Sequence, residues 1–157
     1  MPTLWLLRPQ QGHWSANKAA VRLAQAELAG WPDLEREIDP QTVQTAAATL
    51  EIVQANFPDN RAVNYRLGLL AAGDEDYAAA LPYLEAAYQA DPGHRGVIKT
   101  LGYSYAWLGQ LDEAAPLLSQ IPEVPGELET YSWWWGTQDQ PARAEFAAAM
   151  LTILLQP

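Results

Sequence analysis

A chain of 157 residues, 49% of them hydrophobic, is long enough to bury one sizeable core and is read as one compact unit. It has no cysteine, which excludes a disulfide framework, a thiolate nucleophile and a sulfur-ligated metal. Its net charge of −10 argues against a nucleic-acid partner, because phosphate backbones call for clustered Lys and Arg; a basic protein partner stays open.

Residues 1–13 read as an N-terminal tail. Pro2–Leu7 is apolar but far shorter than an export signal or a membrane span, although Leu4-Trp5-Leu6-Leu7 before Arg8 has the look of a membrane helix cut short. Gln10–His13 reads as a loop and Ser15 as the cap of a helix from Ala16, with Ala20, Leu23, Ala24 and Leu28 at helical spacing. Gly30-Trp31-Pro32 ends it, and 33–39 reads as an acidic loop with one turn at Asp33–Arg36. Asp39-Pro40 then caps and starts a helix over 40–56. Asp59-Asn60 caps the next over 61–72, and Asp74-Glu75-Asp76 makes a turn into a partner helix over 76–90.

From here the chain repeats. Leu67-Gly68 returns as Leu101-Gly102, Ala80 as Ala114, Pro82 as Pro116 and Leu84 as Leu118, always 34 positions later. The same phase runs backwards, placing Ala46, Leu50 and Val53 before Ala80, Leu84 and Ala87. Pro82 and Pro116 fall near the starts of their helices, so a shared tilt is expected there and no break. Pro122 and Pro125 shorten the third unit, after which the pattern resumes with an offset of 30: Tyr105 maps onto Trp135 and Ala114 onto Ala144. The last helix, 141–155, carries Phe146, Met150, Leu151, Ile153, Leu154 and Leu155, a density that asks for a cover and suggests self-association through the C-terminal helix.

A 34-residue period in which small residues face large ones is the signature of stacked helical hairpins. Gly68, Gly102 and Ser132 suit a close helix crossing, with Ala80, Ala114 and Ala144 opposite. Leu67, Leu84, Leu101, Tyr105 and Leu118 fill the surroundings, each Leu contributing about 1.5–3 kcal/mol on burial. This spacing and these residues resemble the tetratricopeptide repeat. The expected fold is all-α, an α-solenoid of about four antiparallel hairpins at 14–58, 61–92, 95–122 and 126–155 in a single domain over 14–157. Ile121 where a small residue is usual, Pro122 and the 30–39 insertion depart from the family pattern.

The resemblance implies a right-handed superhelix whose concave wall is built by the first helix of each hairpin. Projected onto this chain, the partner-binding residues are Tyr65 and Leu69, then Lys99, Tyr103 and Trp107, then Trp133 between Glu129 and Thr137. Lys99, Tyr103 and Trp107 step by four and share one face. Of the run Trp133-Trp134-Trp135, Trp135 takes a core position and Trp133 the groove position.

The implied function is a non-enzymatic scaffold that binds a protein or peptide in its groove, with no cofactor and no metal. Glu129, and Leu69 and Tyr103 where amides would be wanted, speak against gripping a carboxylate tail. His13 and His94 are expected in loops without a nucleophile or ligand partner, and no glycine-rich phosphate loop is present. Trp14–Val21 and the YSWWWGTQ run loosely resemble repeat segments attached to multi-span glycosyltransferase-like proteins. That resemblance implies, as an alternative, an appendage of a bacterial membrane-associated assembly. Compartment is not fixed by the sequence.

Overall fold

The computed structural model describes residues 7–29 and 40–156, and these residues form eight helices and no strand. In chain order they are α1 (Leu7–Ala29), α2 (Pro40–Asn56), α3 (Arg61–Gly73), α4 (Tyr77–Ala90), α5 (Arg95–Trp107), α6 (Leu111–Leu118), α7 (Val124–Thr137) and α8 (Pro141–Leu154). Consecutive helices pack as hairpins, α1 on α2, α3 on α4, α5 on α6 and α7 on α8. The acidic loop expected over 30–39 and the apolar start at 1–6 lie outside the described residues.

Two of the caps anticipated from sequence form, at Asn60 and Asp76, and His94 adds a third. Asn60 and Asp76 accept the backbone N–H groups of Val63 and Ala79, and His94 Nδ1 accepts that of Val97. Each satisfies one of the donors that a helix start leaves open. His94 is thereby a structural residue. His13 lies within α1, because that helix begins at Leu7 and not at Ala16, and Ser15 is an interior residue. Pro9 falls in the first turn, where its missing N–H costs nothing. Gly12 is buried where the Phe57 ring would meet any side chain.

The 34- and 30-residue offsets reappear in backbone geometry. Glu75, Gly109 and Asp139 each take the left-handed conformation, with φ of 60°, 76° and 58°. The next residue in each case (Asp76, Gln110, Gln140) donates its N–H to the carbonyl five residues back, Ala71, Tyr105 and Trp135. One helix-terminating turn is thus built three times. Only Gly109 adopts it without steric cost; there the Phe146 ring of α8 packs so closely that a Cβ would stand 2.8 Å from it.

The helix crossings explain the small residues. A Cβ on Gly68 would stand 2.6 Å from Leu84 Cδ2, and one on Gly102 would stand 2.6 Å from Leu118 Cδ2. Ala80 and Ala114 are fully buried opposite. The last hairpin differs: Ala144 is half-buried, and Ala147 and Met150 take the fully buried places. Pro82 leaves α4 unbroken, whereas α6 ends two residues after Pro116. Buried Ile121 and Val124 fill the space behind this short helix, and α8 lies against both α6 and α5. Leu151, Ile153 and Leu154 pack on the core, leaving Leu155 exposed at the end of the apolar helix.

No helix among the described residues is long and apolar enough to cross a membrane.

Candidate functional site

Residues on α5 and α7 meet as two ladders, each stepping by four residues and so running down one helix face. On α5 the ladder is Arg95, Lys99, Tyr103 and Trp107; facing it are Glu123, the N-cap of α7, and Glu127, Tyr131 and Trp135 on α7 itself. Basic rungs face acidic rungs and aromatic rungs face aromatic ones. Arg95 pairs with Glu123, and Lys99 Nζ lies 2.6 Å from Glu127 Oε1 and 3.5 Å from Glu123 Oε1. The Tyr103 hydroxyl donates to Glu127 Oε2 at 2.7 Å.

Below the ions the rings interlock. Tyr103 stacks on Trp107 at a centroid distance of 5.4 Å. Tyr131 stands edge-on to both, and Trp135 stands edge-on to Trp107 at 5.8 Å. Such offset and edge contacts contribute about 0.5–1.5 kcal/mol each beyond the area they bury.

These rings surround a cavity of about 240 Å³. Tyr77 at the start of α4 and Ala72 of α3 close it on the side opposite α7, and Lys99 also lines it. Trp135 contributes to its wall, and the Trp135 Nε1–H is buried without an acceptor. Behind the wall, the Arg143 guanidinium of α8 is sandwiched between Trp135 and Tyr77, 4.7 Å and 4.9 Å from their ring centres. Arg143 Nη1 also reaches Glu75 Oε2 at 2.6 Å. The final hairpin is thereby tied to the α3–α4 turn.

The electrostatics follow from these pairs. Hydrogen bonding to Glu127 raises the Lys99 pKa, so its charge is firmly held but already compensated. A clamp for a partner's carboxylate would find no spare cation there. Burial, then the bond to the Glu127 carboxylate, pushes the Tyr103 hydroxyl up and keeps it a neutral donor. Arg95 holds the Glu123 carboxyl below its usual range, and Arg143 does the same for Glu75.

Of the residues expected from sequence, the structure brings Lys99, Tyr103 and Trp107 together. Tyr103 and Trp107 are 9% and 7% exposed, so they belong to the core as well as to the cavity wall. Tyr65 stands edge-on to His94 on the neighbouring hairpin, and Leu69 is 40% exposed on α3; neither lines the cavity. Trp133 is 67% exposed, and Tyr131 and Trp135 are the α7 rings that meet α5. Trp135, expected in the core, lies there and lines the cavity as well. The 30-residue offset gives equivalent positions, whereas contacts between adjacent helices run from Lys99 to Glu127 and Trp107 to Trp135, a step of 28. The matching four-residue ladders were the signal in the sequence that identifies Glu127, Tyr131 and Trp135.

Comparison with curated proteins and with solved structures gave no match. The family model of the tetratricopeptide repeat matches residues 69–126, which run from within α3 to the start of α7 and take in the α5–α6 hairpin whole. The small-residue crossings and the thrice-built turn agree with that match, which places tetratricopeptide repeats in residues 69–126.

Proposed function

We propose that the chain is a non-enzymatic scaffold that captures a peptide or partner helix on its inner face, with an apolar side chain of the partner seated in the aromatic cavity between α3, α5 and α7. The family is one of protein-interaction modules, which supports the class of function. The carrying observation is the cavity itself, five aromatic rings around about 240 Å³. Aromatic rings held by their neighbours are also the typical anchors of protein interfaces. Leu69 and Tyr65 extend the same inner face toward the first hairpin.

Truncating Tyr103 and Trp107 together would collapse the core they share, so the discriminating variant fills the cavity. Ala72→Leu adds volume from the α3 side and leaves the ladders intact. A random peptide library is panned on the wild-type chain, and enriched peptides are titrated against both proteins by tryptophan fluorescence. The expected result is an affinity loss of about tenfold or more in the filled variant at unchanged helical content. Enriched peptides that bind both proteins equally would place the interface elsewhere.

A further inference from the structure

The repeat phase marks which face of an inner helix meets its successor. On α5 these positions are Lys99, Tyr103 and Trp107, and α7 covers them. Their equivalents on α7 are Glu129, Trp133 and Thr137, all exposed. Trp133 thus stands open at a position where the preceding hairpin buries Tyr103, and a tryptophan left uncovered where the fold elsewhere provides a cover marks a contact surface.

The other end of the stack has a matching strip. Trp14, Lys18 and Arg22 step by four along α1 and are exposed, Trp14 at 68%. They lie on the face opposite Ala16, Ala19 and Leu23, through which α1 joins the core. Charge decides which surface suits which. Residues 1–29 hold three basic and one acidic side chain, while 30–157 hold six basic and eighteen acidic. The first helix is the basic end of an otherwise acidic molecule, so like ends repel and opposite ends attract.

We propose that copies of this chain stack head to tail, with α1 of one copy lying along the outer face of α7 of another as α7 lies along α5 within the chain. Both strips step by four residues, so parallel helices bring Lys18 to Glu129 and Arg22 over the Trp133 ring, while Trp14 packs at Pro125. The contact joins two different surfaces and does not close on itself, so each added copy leaves the same two ends open. It uses the ends of the stack and leaves the cavity free, and is therefore independent of the peptide-binding reading.

Sedimentation velocity over about three decades of protein concentration tests this. The wild-type mass should climb with concentration, through more than one step, and fall back in high salt. Trp133→Ala, and separately Lys18→Glu with Arg22→Glu, should each weaken stacking about 30-fold or more and sediment as monomers. These side chains are exposed, so circular dichroism should not change. Mixing the two variants decides the topology: each retains the face the other has lost, and the mixture should form one-to-one pairs that grow no further. A wild-type chain that stays monomeric throughout overturns the proposal. So does a charge variant that still dimerises, which would assign the contact to a two-fold pairing of α7 with α7, and so does a mixture that forms no pairs.

Discussion

The two cores of the molecule are made of different materials. The one that joins α1 and α2 to α3 is aliphatic: Ala16, Ala19, Leu23, Ala46, Leu50, Val53, Val63 and Leu67. The one around α5 adds buried rings, Tyr103, Trp107 and Trp135, and is overlaid by ion pairs that run from helix to helix. In a repeat array stability is approximately a sum of hairpin terms and neighbour terms. Small aliphatic contacts between the first and second hairpins supply a weak neighbour term, and the ladders between the third and fourth supply a strong one. Unfolding should therefore begin at α1–α2 and reach α5–α8 last.

The largest effect that tests this contrast is a pair of truncations. Trp107→Ala should cost about 3–5 kcal/mol and lower the urea midpoint of the whole array, because its ring touches α5 and α7 at once. Leu50→Ala, fully buried in the aliphatic core, should cost about 2–5 kcal/mol locally. Hydrogen exchange should then show α1–α2 losing protection while α5–α8 keep it; uniform loss would mean that the array unfolds as one unit.

Gly102→Ala comes next, at about 1–3 kcal/mol, since the new methyl would press on Leu118 Cγ and Cδ2 at 2.8 and 2.6 Å. The companion change Leu118→Val should recover part of the loss in a double-mutant cycle. Arg143→Ala should cost about 1–2 kcal/mol through its lost stacking on Trp135 and Tyr77. Exchange at the α3–α4 turn should rise with it, because Glu75 loses its anchor.

The smallest effects are those of pH. Glu123 and Glu75 have pKa values lowered in the fold, so their contribution is present above the usual carboxylate value of 4.5 and is lost as the pH falls through and below it. A modest drop in melting temperature is expected on acidification, abolished for the first pair by Glu123→Gln. At the alkaline end the sign reverses. The Tyr105 hydroxyl, raised to about 12 by burial and by its bond to Glu85, favours the folded state below pH 10, and this contribution declines as the pH rises from 10 toward 12. Tyr105→Phe should flatten that decline in a melting series.

The sequence made the hairpins legible because their repetition is enforced by sterics. A glycine or alanine recurs wherever two helix axes cross closely, and Gly68, Gly102, Ala80 and Ala114 occupy such crossings in the fold. The start of α1 was not legible, since Pro9 read as part of a tail and Gly12 as a loop residue, although one sits in a helix's first turn and the other lies against Phe57. The site was legible by half. Tyr103 and Trp107 stand out by spacing on α5, but their partners on α7 depend on how far the final hairpin slides along its neighbour. Pro122 and the eight-residue α6 set that slide, and no period in the sequence encodes it.

The α5–α7 ladder also fixes the order of the repeats. Helical hairpins with a common backbone look interchangeable, as words of equal length do. Here α5 offers two cations and two rings to its successor and α7 answers with two anions and two rings. A chain with the α3–α4 and α5–α6 hairpins exchanged would keep the 34-residue period and every glycine crossing. Yet it would set Tyr65 against Glu127 and Leu69 and Gly73 against the Tyr131 and Trp135 rings, so that only Glu123, facing Arg61, would keep a counter-ion. The side chains thus impose a syntax on a backbone that has none, and each hairpin can be read only in its own place.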